Sequence, residues 1–252
     1  ANLSLLHKND ELVRMNKELE AFAYVSSHDL QEPLRKIQTF AGRIVEKDGN
    51  HLSEKGKNYF RLMRKSAARM QVLIQDLLAF SLLSTSERKF ENVDLKKIVS
   101  EVISELKENI DEKNAVIEIS ENCMVRIIPF QFRQVIFNLI SNSLKFSKPD
   151  VPPHIVISCR LAKADSIAEI PESENQHEYC QISVSDNGIG FEQEYKNKIF
   201  EVFQKLHVKD KYTGAGIGLA IVKKIVENHN GFIFATSELD KGAIFDIFLP
   251  VK

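Results

Sequence analysis

The sequence has 252 residues, of which 43% are hydrophobic and 27% charged, with 10 Gly and 7 Pro. This length favours two domains over one, and the composition excludes a collagenous or disordered chain. Because 34 basic and 35 acidic residues leave a net charge of −1, the broad basic surface of a nucleic acid-binding protein is also excluded.

Hydropathy and cysteine spacing predict a cytoplasmic protein. The apolar runs are far shorter than the ~20 residues that cross a bilayer, so we expect no membrane segment in this part of the chain. Cys123, Cys159 and Cys180 stand far apart without a C-x-x-C motif, and we expect reduced, buried thiols rather than a disulfide framework or zinc site. Because the chain starts at Ala1, we expect a fragment of a longer protein, soluble or membrane-anchored.

A seven-residue repeat runs through the first 44 residues. Position a holds Asn2, Asn9, Asn16, Ala23, Leu30, Ile37 and Ile44, and position d holds Leu5, Leu12, Leu19, Ser26, Pro33 and Phe40. Asn at position a pairs best with Asn of a parallel partner helix, so the repeat predicts a parallel dimer. The alternative is one amphipathic helix packed on its own domain.

The first helix is expected to bend at Pro33 and to end at the turn 47–50. A second apolar stripe at helical spacing runs from Tyr59 to Phe80. Two such helices form a hairpin, and two hairpins form a four-helix bundle.

After a polar stretch at 84–89, strands and helices mix, which is typical of an α+β sandwich. We predict helices over 94–112, 131–146 and 216–228, and strands over 115–120, 124–128, 154–161, 179–185, 232–237 and 243–249. The domains are therefore placed at 1–88 and 89–252.

His28 is the first candidate for chemistry. It falls at heptad position f, away from the dimer seam, with Asp29 adjacent and Glu32 one turn on. A carboxylate that accepts a hydrogen bond from one ring nitrogen leaves the other as a nucleophile, as a phosphoryl acceptor requires. A lone solvated histidine is the alternative.

Asn138, Asn142 and Lys145 share one face of a predicted helix. Amide oxygens can bind Mg²⁺ and a lysine can neutralise phosphate, although the face can equally be an ordinary polar surface. The run Asp186–Gly190 follows a strand. Its two glycines indicate either a sharp turn in which the backbone passes close to another group, or an ordinary turn. The run Gly214–Leu219 opens a helix whose N–H groups can bind an anion.

Taken in order, these motifs resemble the catalytic core of a bacterial sensor histidine kinase. The motifs are an H-box (Ser27–Leu34), an N-box (Asn138–Ser147), a G1 box (Asp186–Gly190), an F-box (Ile199–Phe203) and a G2 box (Gly214–Leu219). The resemblance implies a dimeric helical hairpin followed by an ATP-binding sandwich of the Bergerat type. The H-box is similar to that of phytochrome-like and hybrid kinases, in which a sensory domain precedes the helix, and that domain is absent from this chain.

The resemblance also implies roles for individual residues. It assigns Asp186 to the adenine amino group, Asn138 and Asn142 to Mg²⁺, Lys145 to phosphate oxygens, Phe146 to the nucleoside and Lys205 to the γ-phosphate of ATP. The resemblance assigns further nucleotide contacts to Gly188, Gly190, Gly214, Gly216, Gly218 and Leu219. Residues 191–213 are expected to form a mobile lid.

The implied reaction is phosphoryl transfer from ATP to His28, with Asp29 as the orienting base, followed by transfer to an aspartate of a response-regulator receiver domain. The homodimer would form through residues 1–88. Glu32 stands where many relatives have Thr or Asn that position a water, so phosphatase activity is not implied. A non-kinase ATPase of the same sandwich fold, or a signal-relay scaffold with an inactive nucleotide site, are the alternatives.

Overall fold

The computed structural model describes residue 14 and residues 29–82, 89–163, 178–204 and 216–251. It divides the chain into two compact units, one holding the described residues up to 82 and the other those from 89 onward. His28, Lys205 and Gly214, which the sequence singles out, lie outside the described residues. None of the described helices combines the length and the apolar character that crossing a membrane requires.

The first unit contains a helical hairpin. Helix α1 spans residues 29–48, a 3-10 turn follows at Gly49–His51, and helix α2 spans Glu54–Leu82. Leu34 and Ala41 of α1 and Ala67 of α2 are buried. Gln38 Nε2 donates a hydrogen bond of 2.7 Å to Gln71 Oε1 across the two helices. Among the described residues of the hairpin, the buried apolar positions are therefore two on α1 and one on α2.

The second unit is an α/β sandwich. Its elements are β1 (Glu91–Asp94), α3 (Leu95–Glu105), α4 (Lys107–Lys113), β2 (Val116–Ile119), β3 (Met124–Ile127), α5 (Pro129–Lys145), β4 (His154–Lys163), β5 (Glu178–Asp186), α6 (Gly218–Asn228), β6 (Phe232–Glu238) and β7 (Gly242–Pro250). Among the described residues the main sheet has the order β2-β4-β5-β7-β6, with β2 parallel to β4 and the other pairs antiparallel. Strands β1 and β3 form a separate antiparallel pair.

The core of this unit lies between helices α3, α5 and α6 and the main sheet. Helix α5 buries a stripe that includes Phe132, Ile136 and Leu139, and alternate residues of the central strands, such as Ile157 and Ile182, are fully buried. Burial of an apolar helix stripe against an alternating strand face is the ordinary way to build such a layer. The predicted fold class, a helical hairpin followed by a sandwich of helices and sheet, is confirmed.

Two local features differ from the prediction. The helix expected over 94–112 is broken at Leu106, where the backbone leaves helical geometry (φ −90°, ψ 10°) and the buried side chain joins the core. Strand β1 is polar and short, so its sequence carries no alternating pattern. It is a strand because it pairs with β3.

The expectation of three separate reduced thiols is wrong. Cys123 and Cys159 form a disulfide, and the sulfur of Cys180 lies 3.0 Å from that of Cys159. Strands β4 and β5 are antiparallel neighbours, and their register makes Cys159 and Cys180 diagonal neighbours. Pairing between strands, rather than spacing along the sequence, brings these residues together.

Candidate functional site

The carboxylate of Asp186 lies at the end of β5 and is fixed by three donors. Its Oδ1 accepts hydrogen bonds from the backbone N–H of Gly188 at 2.9 Å and of Ala243 at 3.3 Å. Its Oδ2 accepts one from the Ser143 hydroxyl of α5 at 2.9 Å. The carboxylate is only half-buried. It is therefore held in one orientation with acceptor capacity left on Oδ2.

The turn after Asp186 packs directly on the end of helix α5. The N–H of Ile189 donates to the carbonyl of Phe146 at 2.9 Å. A Cβ added to Gly188 would lie 2.7 Å from the same carbonyl oxygen. Only glycine fits at this position, and the N-box and G1 box thus meet at one point.

The turn between β6 and β7 supports the same loop from the other side. Gly190 has a φ of +63°, and a Cβ there would lie 2.1 Å from the carbonyl oxygen of Glu238. The N–H of Asp240 donates to the carbonyl of Ile189 at 2.8 Å. The G1 box therefore packs between the end of α5 on one side and this turn on the other.

Helix α5 presents the polar groups predicted for phosphate and metal. Asn138 and Asn142 lie one turn apart and are half-buried, and Lys145 places its Nζ 4.6 Å from the centroid of the Phe146 ring. Within the described part of the chain, Asn138 Nδ2 is buried without a hydrogen-bond partner. A buried amide N–H group is normally hydrogen-bonded, so this one calls for an acceptor oxygen close by.

Helix α6 begins beside Asn138. A Cβ on Gly218, its first residue, would lie 3.2 Å from Asn138 Oδ1. Gly216 has a φ of +76°, and a Cβ there would lie 2.6 Å from the carbonyl oxygen of Gln204. The described residues on both sides of 205–215 therefore come together at the N-terminus of α6.

The predicted lid is too long at its N-terminal end. Phe191 N–H donates to Ser237 Oγ of β6 at 2.9 Å, and Gln193 Oε1 accepts from Ser237 N–H at 2.9 Å. Ile199 and Phe200 are buried. The stretch from Phe191 to Phe200 thus packs on the sandwich instead of lying free of it.

The second unit brings most of the sequence-predicted residues to one place. Contacts join the elements that carry them, since Phe146 meets Gly188 and Ile189 and Asn138 meets Gly218. The residues on these joined elements are Asn138, Asn142, Lys145, Phe146, Asp186, Gly188, Gly190, Gly216, Gly218 and Leu219. Asp29 belongs to the first unit and is exposed.

The sequence reasoning missed Ser143 and Lys113. The position of Ser143 next to Asn142 inside the N-box was the only available signal for it. Lys113 Nζ donates to the carbonyl of Leu144 at 2.6 Å and so caps the C-terminus of α5.

Two protein families match the chain. Residues 127–252 match the model of the histidine kinase-, DNA gyrase B-, and HSP90-like ATPases. Residues 18–86 match the His Kinase A (phospho-acceptor) domain.

Similar proteins agree with these matches. Phytochrome-like protein Cph1 of Synechocystis sp. is 33% identical over 240 residues, which are 95% of this chain and 30% of Cph1. The chain thus spans about 30% of the length of that curated relative. The crystal structure of full-length ShkA in complex with AMPPNP matches with a TM-score of 0.65 and 23% identity, over 90% of this chain and 45% of ShkA. The crystal structure of histidine kinase ThkA in complex with response regulator protein TrrA matches with a TM-score of 0.58 and 21% identity, over 95% of this chain and 65% of that one.

The chain belongs to the histidine kinase family and contains the catalytic core of such a kinase, with a phospho-acceptor domain ahead of an ATPase domain.

Proposed function

We propose that this chain transfers the γ-phosphoryl group of ATP to His28 and then to an aspartate of a separate receiver domain. The observation that supports ATP as the donor most directly is the fixed carboxylate of Asp186. Its Oδ1 is occupied by two backbone N–H groups, and its Oδ2 accepts only from Ser143 among the described residues. Oδ2 can therefore accept a second hydrogen bond, which the 6-amino group of adenine supplies.

The residues of α5 fit the phosphate and metal end of the nucleotide. Asn138 and Asn142 would hold Mg²⁺ through amide oxygens, which are hard ligands of the kind this ion prefers. Asn138 Nδ2, which has no hydrogen-bond partner among the described residues, is a donor suited to a phosphate oxygen beside that ion rather than to the ion itself. Mg²⁺, when bound, neutralises charge on the phosphates.

The remaining phosphate contacts come from a lysine and from helix α6. Lys145 would neutralise phosphate oxygens, together with Lys205 from outside the described residues. Gly216, Gly218 and Leu219 would present backbone N–H groups at the N-terminus of α6, where the helix dipole favours an anion. Phosphoryl transfer leaves little covalent work for the protein, so positioning and charge stabilisation carry the catalysis.

The residues proposed to accept the phosphoryl group belong to the first unit, which contains the helical hairpin. His28 would attack the γ-phosphorus as the bond to the β,γ-bridging oxygen breaks and ADP leaves, and Asp29, the first residue of the described part of α1, would orient the imidazole ring. A carboxylate beside one ring nitrogen keeps the other available as a nucleophile.

The homodimer is proposed from the exposed apolar side chains of the hairpin. Leu30, Ile37 and Phe40, at heptad positions a and d, are 55%, 43% and 58% exposed in the single chain. Leu34 and Ala41, at position e, face the interior of the hairpin instead. Helix α2 exposes a further apolar set that includes Tyr59, Leu62, Met63 and Met70. A second hairpin would cover both surfaces and complete a four-helix bundle.

The receiver partner is supported by the similarity to ThkA, whose crystal structure holds the response regulator protein TrrA. The domain division is proposed at residue 88, with the hairpin as the phospho-acceptor domain and residues 89–252 as the ATP-binding domain. A sensory domain ahead of the hairpin is proposed as well, since the chain spans only 30% of Cph1.

The test is phosphorylation with radiolabelled ATP and Mg²⁺. We expect an acid-labile, base-stable label that His28→Gln abolishes while nucleotide binding persists. His51→Gln, at the exposed turn between the two helices, is the matched control and should keep the label. Label that remains in His28→Gln would contradict the acceptor assignment, and ATP hydrolysis without any protein label would indicate a non-kinase ATPase.

A further inference from the structure

Three cysteine sulfurs converge in the second unit, away from the nucleotide site. The Cα atoms of the disulfide-bonded residues Cys123 and Cys159 lie 5.7 Å apart, within the usual range for such a bond. The Sγ of Cys180 lies 3.0 Å from that of Cys159 and 3.4 Å from that of Cys123. Cys180 and Asp186 lie at opposite ends of β5, which places the cluster about 20 Å from the adenine end of the proposed ATP site.

Backbone hydrogen bonds determine this arrangement. The N–H of Cys159 donates to the carbonyl of Glu121 at 3.1 Å, and the N–H of Leu95 donates to the carbonyl of Cys123 at 3.2 Å. These bonds hold the β2–β3 loop against β4 and the start of α3. The register of β4 and β5 then brings Cys180 to the same face as Cys159. The convergence is built by the fold and does not depend on side chains alone.

The three sulfurs differ in their access to solvent. Cys123 is half-buried, whereas Cys159 and Cys180 are buried. Burial raises the pKa of the Cys180 thiol to about 11, so this thiol is protonated near neutral pH and a poor nucleophile toward a dissolved oxidant. A small oxidant from solvent therefore meets Cys123 first.

We propose that Cys123, Cys159 and Cys180 form a redox site in which a hydroperoxide creates the Cys123–Cys159 disulfide and Cys180 exchanges with it. The thiolate of Cys123 attacks the O–O bond of hydrogen peroxide, which leaves a sulfenic acid and hydroxide. The sulfur of Cys159 then displaces the sulfenic oxygen, and the thiol proton leaves with that oxygen as water. Two thiols lose two electrons and one peroxide becomes two waters.

Exchange follows from the position of the third sulfur. The small fraction of Cys180 that gives up its proton attacks Cys159 as a thiolate, which forms a new S–S bond, breaks the old one and leaves Cys123 as a thiolate that takes up a proton. No electrons are gained or lost in this step. The first disulfide closes a loop of sequence separation 36 that contains all of α5, whereas a bond between Cys159 and Cys180 joins adjacent strands. The two forms therefore constrain different parts of the domain.

The test uses the 252-residue chain and reads thiols and disulfides, independently of kinase activity. The chain is reduced, desalted under metal-free anaerobic conditions, treated with hydrogen peroxide, alkylated at low pH and analysed by peptide mass spectrometry. We expect the loss of two hydrogens per chain, one remaining thiol and a dominant peptide linking Cys123 to Cys159. On anaerobic incubation, a smaller amount of Cys180-linked peptide should appear, and added thiol should restore all three thiols.

Serine variants and metal analysis complete the test. Cys180→Ser should form only the Cys123–Cys159 bond, and Cys123→Ser should pair Cys159 with Cys180 more slowly. Three thiols after treatment, or sulfinic acid at Cys123 without any disulfide, would overturn the proposal. Failure of Cys180 to enter any disulfide in either wild type or Cys123→Ser would overturn the exchange step. One equivalent of zinc or copper(I) bound by the reduced chain and blocking oxidation would make the cluster a metal site instead.

Discussion

Replacement of Asp186 by asparagine is expected to reverse the base preference of the nucleotide site. Asparagine has the same shape, but one of its two terminal atoms is an N–H donor. The backbone N–H groups of Gly188 and Ala243 both point at the Oδ1 position, so the amide oxygen must occupy that position. The amide nitrogen is then forced into the Oδ2 position, which faces Ser143 and the proposed adenine.

Ser143 can accommodate this change without loss. Its hydroxyl lies 3.1 Å from the carbonyl of Leu139 as well as 2.9 Å from Asp186 Oδ2. Because a hydroxyl has one proton and two lone pairs, it can donate to Leu139 and accept from the new amide nitrogen. Asp186→Asn should therefore fold normally while presenting a donor where the wild type presents an acceptor.

The expected change in nucleotide affinity follows from the hydrogen bond that is lost with ATP and the one that is gained with inosine triphosphate. A bond to a charged group contributes about 1.5–3 kcal/mol, so ATP affinity should fall about 10- to 150-fold. Inosine triphosphate carries a carbonyl oxygen in place of the 6-amino group, and a new neutral bond of about 0.5–1.5 kcal/mol should raise its affinity about 2- to 12-fold.

The assay is calorimetric titration of wild type and Asp186→Asn with each nucleotide in the presence of Mg²⁺. Asp246→Asn is the matched control, because Asp246 accepts a hydrogen bond from Gln181 on the same sheet, outside the proposed site. It should leave the ratio of ATP to inosine triphosphate affinity unchanged. If Asp186→Asn still prefers ATP by the wild-type ratio, this carboxylate does not bind the base and the reasoning is refuted.

Two further predictions concern the scaffold and the dimer. Gly190→Ala should lower the free energy of unfolding by about 3 kcal/mol in urea melts, because its φ is positive and the new Cβ meets the carbonyl of Glu238. Gly49→Ala, with open space around it, should change the value by less than about 1 kcal/mol, and equal effects would refute the steric argument. Ile37→Asp should give a monomer in sedimentation analysis, whereas Arg35→Asp at position f should not. A dimer that survives Ile37→Asp would contradict the heptad interface.

The sequence predicts best those elements in which apolar residues recur at a regular spacing. The predicted strands at 154–161, 179–185 and 243–249 agree with β4, β5 and β7 to within about two residues, because alternating burial leaves a clear pattern. The broken helix at Leu106 was not predictable, since the apolar spacing continues through it.

The candidate site shows the same division between local and long-range information. The shared face of Asn138, Asn142 and Lys145 follows from helical spacing, although their nucleotide roles came from family resemblance. Ser143 was missed because its contact, the carboxylate of Asp186, lies 43 positions away along the chain. The cysteine cluster was missed for a similar reason, since strand register determines it.

The glycines of the G1 loop illustrate what the structure adds to the motif. Their spacing predicts that the chain passes close to something, and a ligand is the natural assumption. Instead, the Cβ positions of Gly188 and Gly190 point at protein carbonyls, those of Phe146 and Glu238. A side chain at either position would push the loop away from its supports and turn the Asp186 carboxylate before it touched a nucleotide. These glycines therefore act on the proposed site through the orientation of that carboxylate, so their substitution should weaken base recognition and stability together.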